Sequence, residues 1–285
     1  MTSPPELRPN LSPPPAQSKL AAFFDFTELR TDLRTEMVAG LTTFVTMAYI
    51  LIVNPAILSN AVFLNESGDL FGELVMATGL AAAIATLVMG LYAKLPFVLA
   101  PGMGINAFFA FSVVLGMGID WRVALAAVFI EGLIFIVLTV TNLRTKIVAA
   151  IPEAVKHATT AGIGLFIAYI GLSSAGIVVG NEVTLTTLGD LRAPATAVTL
   201  LGLIITVALF ARRVPGALLW GIIGTALLAW VLGIAPLPEG VFALPQPPVD
   251  LVGQAFVGLG SLFQAGWFEM LGVLFVFLFV DLFDT

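Results

Sequence analysis

Five polar residues stand in apolar surroundings where their chemistry would count. Asp281 and Asp284 lie three apart in FVFLFVDLFDT, Asn106 follows PGMGI, Glu131 interrupts VALAAVFIEGLIFIVL, and Thr43 sits in GLTTFVTMAYI. On a helix, residues three apart are neighbours, so the two aspartates share a face. Burial and a like-charged neighbour both hold a carboxyl in its protonated form to higher pH. Such a pair is suited to take and release a proton near neutral pH, and its ionised member accepts hydrogen bonds from N–H groups. Asn106 adds a donor and an acceptor. Glu131 is expected to play a structural part, bonding across to a neighbouring helix. Thr42, Thr43 and Thr46 are expected to bond back to their own helix, as most threonines in membrane helices do. Glu269, one turn inside its run, is expected to reach water, and His157, beside Lys156, to lie at a surface.

The elements that must position these groups are membrane helices. Of the 285 residues, 59% are hydrophobic and 11% charged, and the mean hydropathy is +1.05. Soluble domains carry roughly 25% charged residues, so this composition reads as a polytopic membrane protein. The net charge of −6 and pI near 4.7 argue against a nucleic-acid surface. With no Cys and one His, thiolate and His-based metal sites, disulfides and Ser-His-Asp chemistry are excluded or unsupported. No metal or cofactor is expected. PGMG lacks the Lys-Ser/Thr of a phosphate loop, and the Gly176/Gly180 spacing is a weak packing signal.

A helix needs about 20 apolar residues to cross the hydrocarbon core. Runs of that kind lie near 37–58, 72–92, 97–117, 122–141, 158–179, 195–211 and 214–233, and an eighth starts near 266. At 1.5 Å per residue, Asp281 falls about 20 Å along the eighth run, near or past the midplane. A charge there costs about 2.5–3.5 kcal/mol and marks a substrate or proton path. Residues 1–36 read as a proline-rich tail followed by an interfacial amphipathic segment with Phe23, Phe24 and Phe26. With the N-terminus inside, ten of the 12 Lys and Arg residues fall in inner segments, and only Arg122 and Arg192 fall outside. That asymmetry places the N-terminus in the cytoplasm and the proline-rich stretch 234–266 outside.

The third run, LPFVLAPGMGINAFFAFSVVLG, cannot be one continuous helix. Pro removes a backbone donor and Gly weakens a helix, and Pro96, Pro101, Gly102 and Gly104 crowd its first half. An irregular stretch followed by a half-helix starting near Gly104–Asn106 is expected. Irregular backbone at membrane depth survives where it is buried or lines a cavity. The free N–H groups and positive dipole end at the start of that half-helix suit a polar or anionic ligand, and Asn106 adds a side-chain donor and acceptor there.

Four blocks in order, TEMVAGLTTFVTMAYILIVNPAIL, LAPGMGINAFFAF, IPEAVKHATTAGIGLFIAYIGL and FVFLFVDLFDT, resemble the AzgA-like purine permeases of the nucleobase–cation symporter-2 (xanthine/uracil permease) family. The resemblance runs from about residue 20 to the end. It implies an all-α fold of two inverted seven-span repeats, here the first repeat and the start of span eight. Residues 37–141 would form half of a core domain, 142–233 half of a gate domain, 234–266 an outer loop and 267–285 a truncated eighth span. It implies a purine nucleobase (hypoxanthine, guanine or adenine) carried with a proton across the cell membrane, and dimerisation through the gate. By the same resemblance Asp281 binds the nucleobase and couples the proton, with Asp284 supporting it, while Asn106, Gly104 and Thr43 border the site. Related uracil carriers place a His where Thr285 stands. A further site acid on span ten would lie beyond this chain, so the stop at Thr285 reads as a fragment boundary. A same-fold carrier of an anion or of uracil or xanthine is the alternative, although paired acids disfavour an anion. An intramembrane aspartyl enzyme is remote, because its two acids belong on separate helices that meet.

Overall fold

In a computed structural model, residues 19–236, 246–262 and 267–284 are described, and the chain there is almost entirely helical. Two short helices, α1 (Lys19–Phe23) and α2 (Phe26–Leu29), lead into α3 (Leu33–Met47). Asp32 caps α3 by accepting from the Thr35 N–H at 2.7 Å, satisfying one orphan donor of the first turn. The chain then turns through Ala48 and Tyr49 into α4 (Ile50–Leu58). The first apolar run is therefore two helical pieces in one crossing. Lys94 contacts Asp25, tying the turn between α1 and α2 to the end of the second run.

α5 (Phe71–Val88) widens into a π-helical turn, Met89–Ala93. An extended stretch follows, and then α6 (Met103–Ala107), which continues as a π-helix over Phe108–Gly116. α7 (Trp121–Val140) starts at Asp120, whose side chain accepts from the Arg122 N–H. Beyond it lie α8 (Leu143–Ala150), α9 (Glu153–Ser174), α10 (Pro194–Ala211), α11 (Ala217–Val231), α12 (Gln254–Leu262) and α13 (Trp267–Asp284). Each of the eight apolar runs thus carries a helix. Five are long and apolar enough to cross a membrane: Leu33–Leu58, Phe71–Ala93, Trp121–Val140, Glu153–Ser174 and Pro194–Ala211. Met103–Gly116, Ala217–Val231 and Leu271–Phe283 are shorter apolar helices.

Two features depart from the sequence reading. The fifth run ends at Ser174, and β1 (Val178–Asn181) pairs antiparallel with β2 (Leu185–Leu188). Asn181 makes the turn by accepting from the Val183 and Thr184 N–H groups at 2.8 and 2.9 Å. Within the segment expected as an outer loop, α12 packs closely along α7. A Cβ on Gly258 would lie 1.9 Å from the Arg122 carbonyl oxygen, so only glycine permits this approach. Arg122 Nε donates to Gln254 Oε1 at 2.8 Å and fastens the same crossing.

The core joins the second, third, fourth and eighth runs. Leu74, Phe109, Val113, Trp121, Ala127 and Phe277 are buried together. In lipid the tails are as apolar as the side chains, so close packing rather than transfer from water holds such helices together. α10 and α11 show this directly. A Cβ on Gly202 would meet Thr225 Oγ1 at 2.1 Å, and one on Gly221 would meet Thr206 Oγ1 at 2.0 Å. Each threonine is half-buried and donates back to the glycine carbonyl one turn earlier on its own helix, at 2.7 Å.

Candidate substrate site

The break in the third run leaves a length of backbone without a helical ladder, and threonines from two neighbouring helices pair part of it. Thr43 Oγ1 donates to the Pro96 carbonyl at 3.2 Å and accepts from the Val98 N–H at 3.4 Å. On the other side Thr86 Oγ1 accepts from the Leu99 N–H at 3.0 Å. The first and second crossings therefore grip the extended stretch between them. Thr42 and Thr46 bond back to Val38 and Thr43, as expected, whereas Thr43 bonds both back to Gly40 and across. The helix resumes at Met103, with Gly102 extended just before it (φ −69°, ψ 120°).

Asn106, one turn into α6, is half-buried. Its side-chain amide donates to Asn54 Oδ1, and Asn54 Nδ2 donates to Thr78 Oγ1 at 2.8 Å. Asn54 and Thr78 are 3% and 4% exposed, so this relay links the first three crossings within the packed interior. Unpaired polar groups there would each cost about 1–3 kcal/mol. The sequence reading passed over Asn54 and Thr78. The available signal was an Asn directly before a Pro inside the apolar run ILIVNPAIL.

α13 packs against both α6 and α7. Phe277 is fully buried, and its ring meets Phe108 edge-on at 5.4 Å and Phe109 at 6.5 Å. Asp281 lies one turn further along the same face and is half-buried. From the other side Glu131 of α7, 4% exposed, lies close enough to Asp281 for their charges to interact. Glu131 Oε1 has no hydrogen-bond partner among the described residues. The cross-helix hydrogen bond expected for Glu131 is thus missing at this oxygen.

Of the residues singled out from the sequence, Asn106 and Asp281 stand on helices that pack together. Gly104 is buried in the first turn of α6, where its carbonyl accepts from the Phe108 N–H. Thr43 engages the extended stretch. Asp284 closes α13, and its side chain, like that of Glu269, lies outside the described residues. His157 is exposed. No group of acids and histidine among the described residues could hold a metal ion. A cavity of about 430 Å³ between α3, α4, α5 and the extended stretch is lined almost wholly by apolar side chains, so it lacks what a hydrogen-bonding solute needs.

A half-helix follows a pinned extended stretch, and the helix that bears Asp281 packs against it. The permease family's sequence profile matches residues 34–282. The chain belongs to that permease family. A Methanocaldococcus jannaschii protein provisionally named a permease is 51% identical over 269 residues, covering 92% of this chain and 58% of its own length. A guanine/hypoxanthine permease of Bacillus subtilis is 43% identical over 265 residues, covering 92% and 59%. An adenine permease of Escherichia coli is 39% identical over 269 residues, covering 94% and 58%. The chain thus spans somewhat under three-fifths of the length of these relatives, which are named as permeases rather than enzymes.

Proposed function

We propose that this permease imports purine nucleobases (hypoxanthine, guanine or adenine) across the cell membrane, by proton symport with alternating access. The observation that carries the reading is the packing of α6, which bears Asn106, against α13, which bears Asp281. A purine presents ring N–H donors beside carbonyl, amino and ring-nitrogen groups. An ionised Asp281 accepts from the first, and an amide such as Asn106 pairs with the others. Gly104 offers backbone at the start of the half-helix, Thr43 holds the preceding stretch in place, and Asp284 supports Asp281. The names of the relatives, guanine/hypoxanthine and adenine permeases, favour this substrate class over anions. A second acid, Glu131, beside Asp281 is also ill suited to an anion.

The same reading includes a seven-plus-seven inverted repeat, with residues 37–141 in the core domain and 142–233 in the gate. It also puts the N-terminus in the cytoplasm and has two copies dimerise through the gate. The test is Asp281→Asn in the intact protein. Uptake of labelled hypoxanthine or guanine is expected to disappear while the protein still reaches the membrane. Undiminished uptake would remove Asp281 from the binding role.

A further inference from the structure

We propose that Glu131 is the proton-holding partner of Asp281, so that the coupling carboxyl lies on α7, one helix behind the group that meets the substrate. This rests on the proposed purine–proton symport and assigns a residue to its coupling step.

The geometry separates the two acids by access. Glu131 is 4% exposed, and its Oε1 lacks a hydrogen-bond partner among the described residues. Asp281 is half-buried and within electrostatic reach of it. An ionised carboxylate left unpaired at membrane depth is costly. Two facing carboxylates cannot both ionise cheaply, so such a pair holds one proton between them. Asp281 is the less buried of the two, so a proton reaches Glu131 by way of Asp281.

The charged groups of the neighbouring elements are few. α12 and the Phe108–Gly116 π-helix, both against α7, contain no titratable side chain, and neither does α6. α8 brings Arg144 and Lys146, and Arg144 lies over the Phe135 ring at 4.8 Å. α9, which packs on α6 and α13, brings Glu153, Lys156 and His157 near its start, where Lys156 pairs with Glu153 at 2.8 Å. α13 brings Glu269, Asp281 and Asp284.

The step balances simply. A proton enters on Asp281 and passes to a Glu131 oxygen, leaving Asp281 ionised to accept a ring N–H of the nucleobase. When the nucleobase leaves on the other side, Glu131 returns the proton to Asp281, which releases it to water. One proton crosses with each nucleobase, and the only bonds made or broken are O–H bonds.

The experiment uses the intact protein in lipid vesicles, alkaline inside by one pH unit, with the membrane potential clamped at zero. At one proton per substrate, wild type accumulates labelled hypoxanthine about tenfold. Glu131→Gln is expected to exchange hypoxanthine across the membrane but to accumulate it about onefold, with uptake no longer varying with external pH. Glu131→Asp, which keeps a carboxyl, is expected to restore both accumulation and the pH profile in part. Glu131→Gln accumulating with the wild-type pH profile overturns the inference while leaving the transport reading intact. Loss of exchange together with accumulation in both variants also overturns it, because that is the mark of a structural role. Wild-type protein that carries no purine overturns the reading on which it rests.

Discussion

At the scale of single residues, the relay from Asn106 through Asn54 to Thr78 fixes the side chain proposed to read the substrate. Asn54→Leu strands the Asn106 amide and the Thr78 hydroxyl in a packed interior, at about 1–3 kcal/mol for each group left unpaired. The expected result is a several-fold rise in KM for purine uptake and a lower melting temperature in detergent. Thr78→Val, which removes only the far end of the relay, should do less. Outside the membrane, Asp69 accepts from the Leu64, Asn65 and Glu66 N–H groups. These bonds, that to Asn65 first, hold its carboxyl below the usual aspartate value of 3.8. A depressed folded value means that the turn's support is present at neutral pH and lost as pH falls through that value. The Leu64 and Asn65 amide resonances should therefore shift together only below about pH 3.8, and Asp69→Asn should abolish that titration. The acids and Asn106 were legible because a polar side chain in an apolar run is conspicuous. Asn54 was equally conspicuous in type, but its meaning depends on two helices distant in sequence. The surroundings of Glu131 were likewise invisible, because a missing partner belongs to the packing rather than to the local string.

At the scale of elements, the third crossing is decided by its own punctuation. Pro96, Pro101 and Gly102 disfavour the helix, so the break could be read in advance, as could a restart, expected near Gly104–Asn106 and found at Met103. What pairs the broken backbone could not be, since Thr43 and Thr86 come from different crossings. Thr43→Val together with Thr86→Val removes the side-chain partners of the Val98 and Leu99 amides. Hydrogen exchange at those two amides should accelerate markedly, with little change in the middle of α7. The hairpin over 178–188 escaped because its strands extend an apolar run with the residue types a helix end would also use. α12 escaped because prolines dominate its neighbourhood, while its anchor, Gly258 against Arg122, is a tertiary contact. Gly258→Val should push α12 off α7 and cost about 1–3 kcal/mol as overpacking, read as a lower melting temperature.

At the scale of the whole molecule, the basic residues carry the orientation argument, and the absence of cysteine makes it easy to test. Ser67→Cys, in the turn after α4, should react with a membrane-impermeant maleimide added outside. Asn142→Cys, between α7 and α8, should react only after the membrane is opened. The reverse pattern would invert the topology. Composition alone gave the class of the molecule, since 11% charge cannot cover a water-facing surface. The grouping of crossings was beyond it. That grouping depends on contacts such as Phe277 on Phe108 and Trp121 Nε1 donating to the Phe63 carbonyl at 3.0 Å.

The reciprocal fit of Gly202 with Thr225 and of Gly221 with Thr206 behaves as a mechanical detent. Slide α11 past α10 by one turn in one direction and the two threonines collide, while Phe210 comes to face Gly221. Slide it the other way and the two glycines face each other across a void, with Thr225 driven onto Val198. Neither displaced setting is a resting place, so this hairpin of helices can tilt as one stiff lever but cannot ratchet. In an alternating carrier that is the property wanted of a surface against which other helices move.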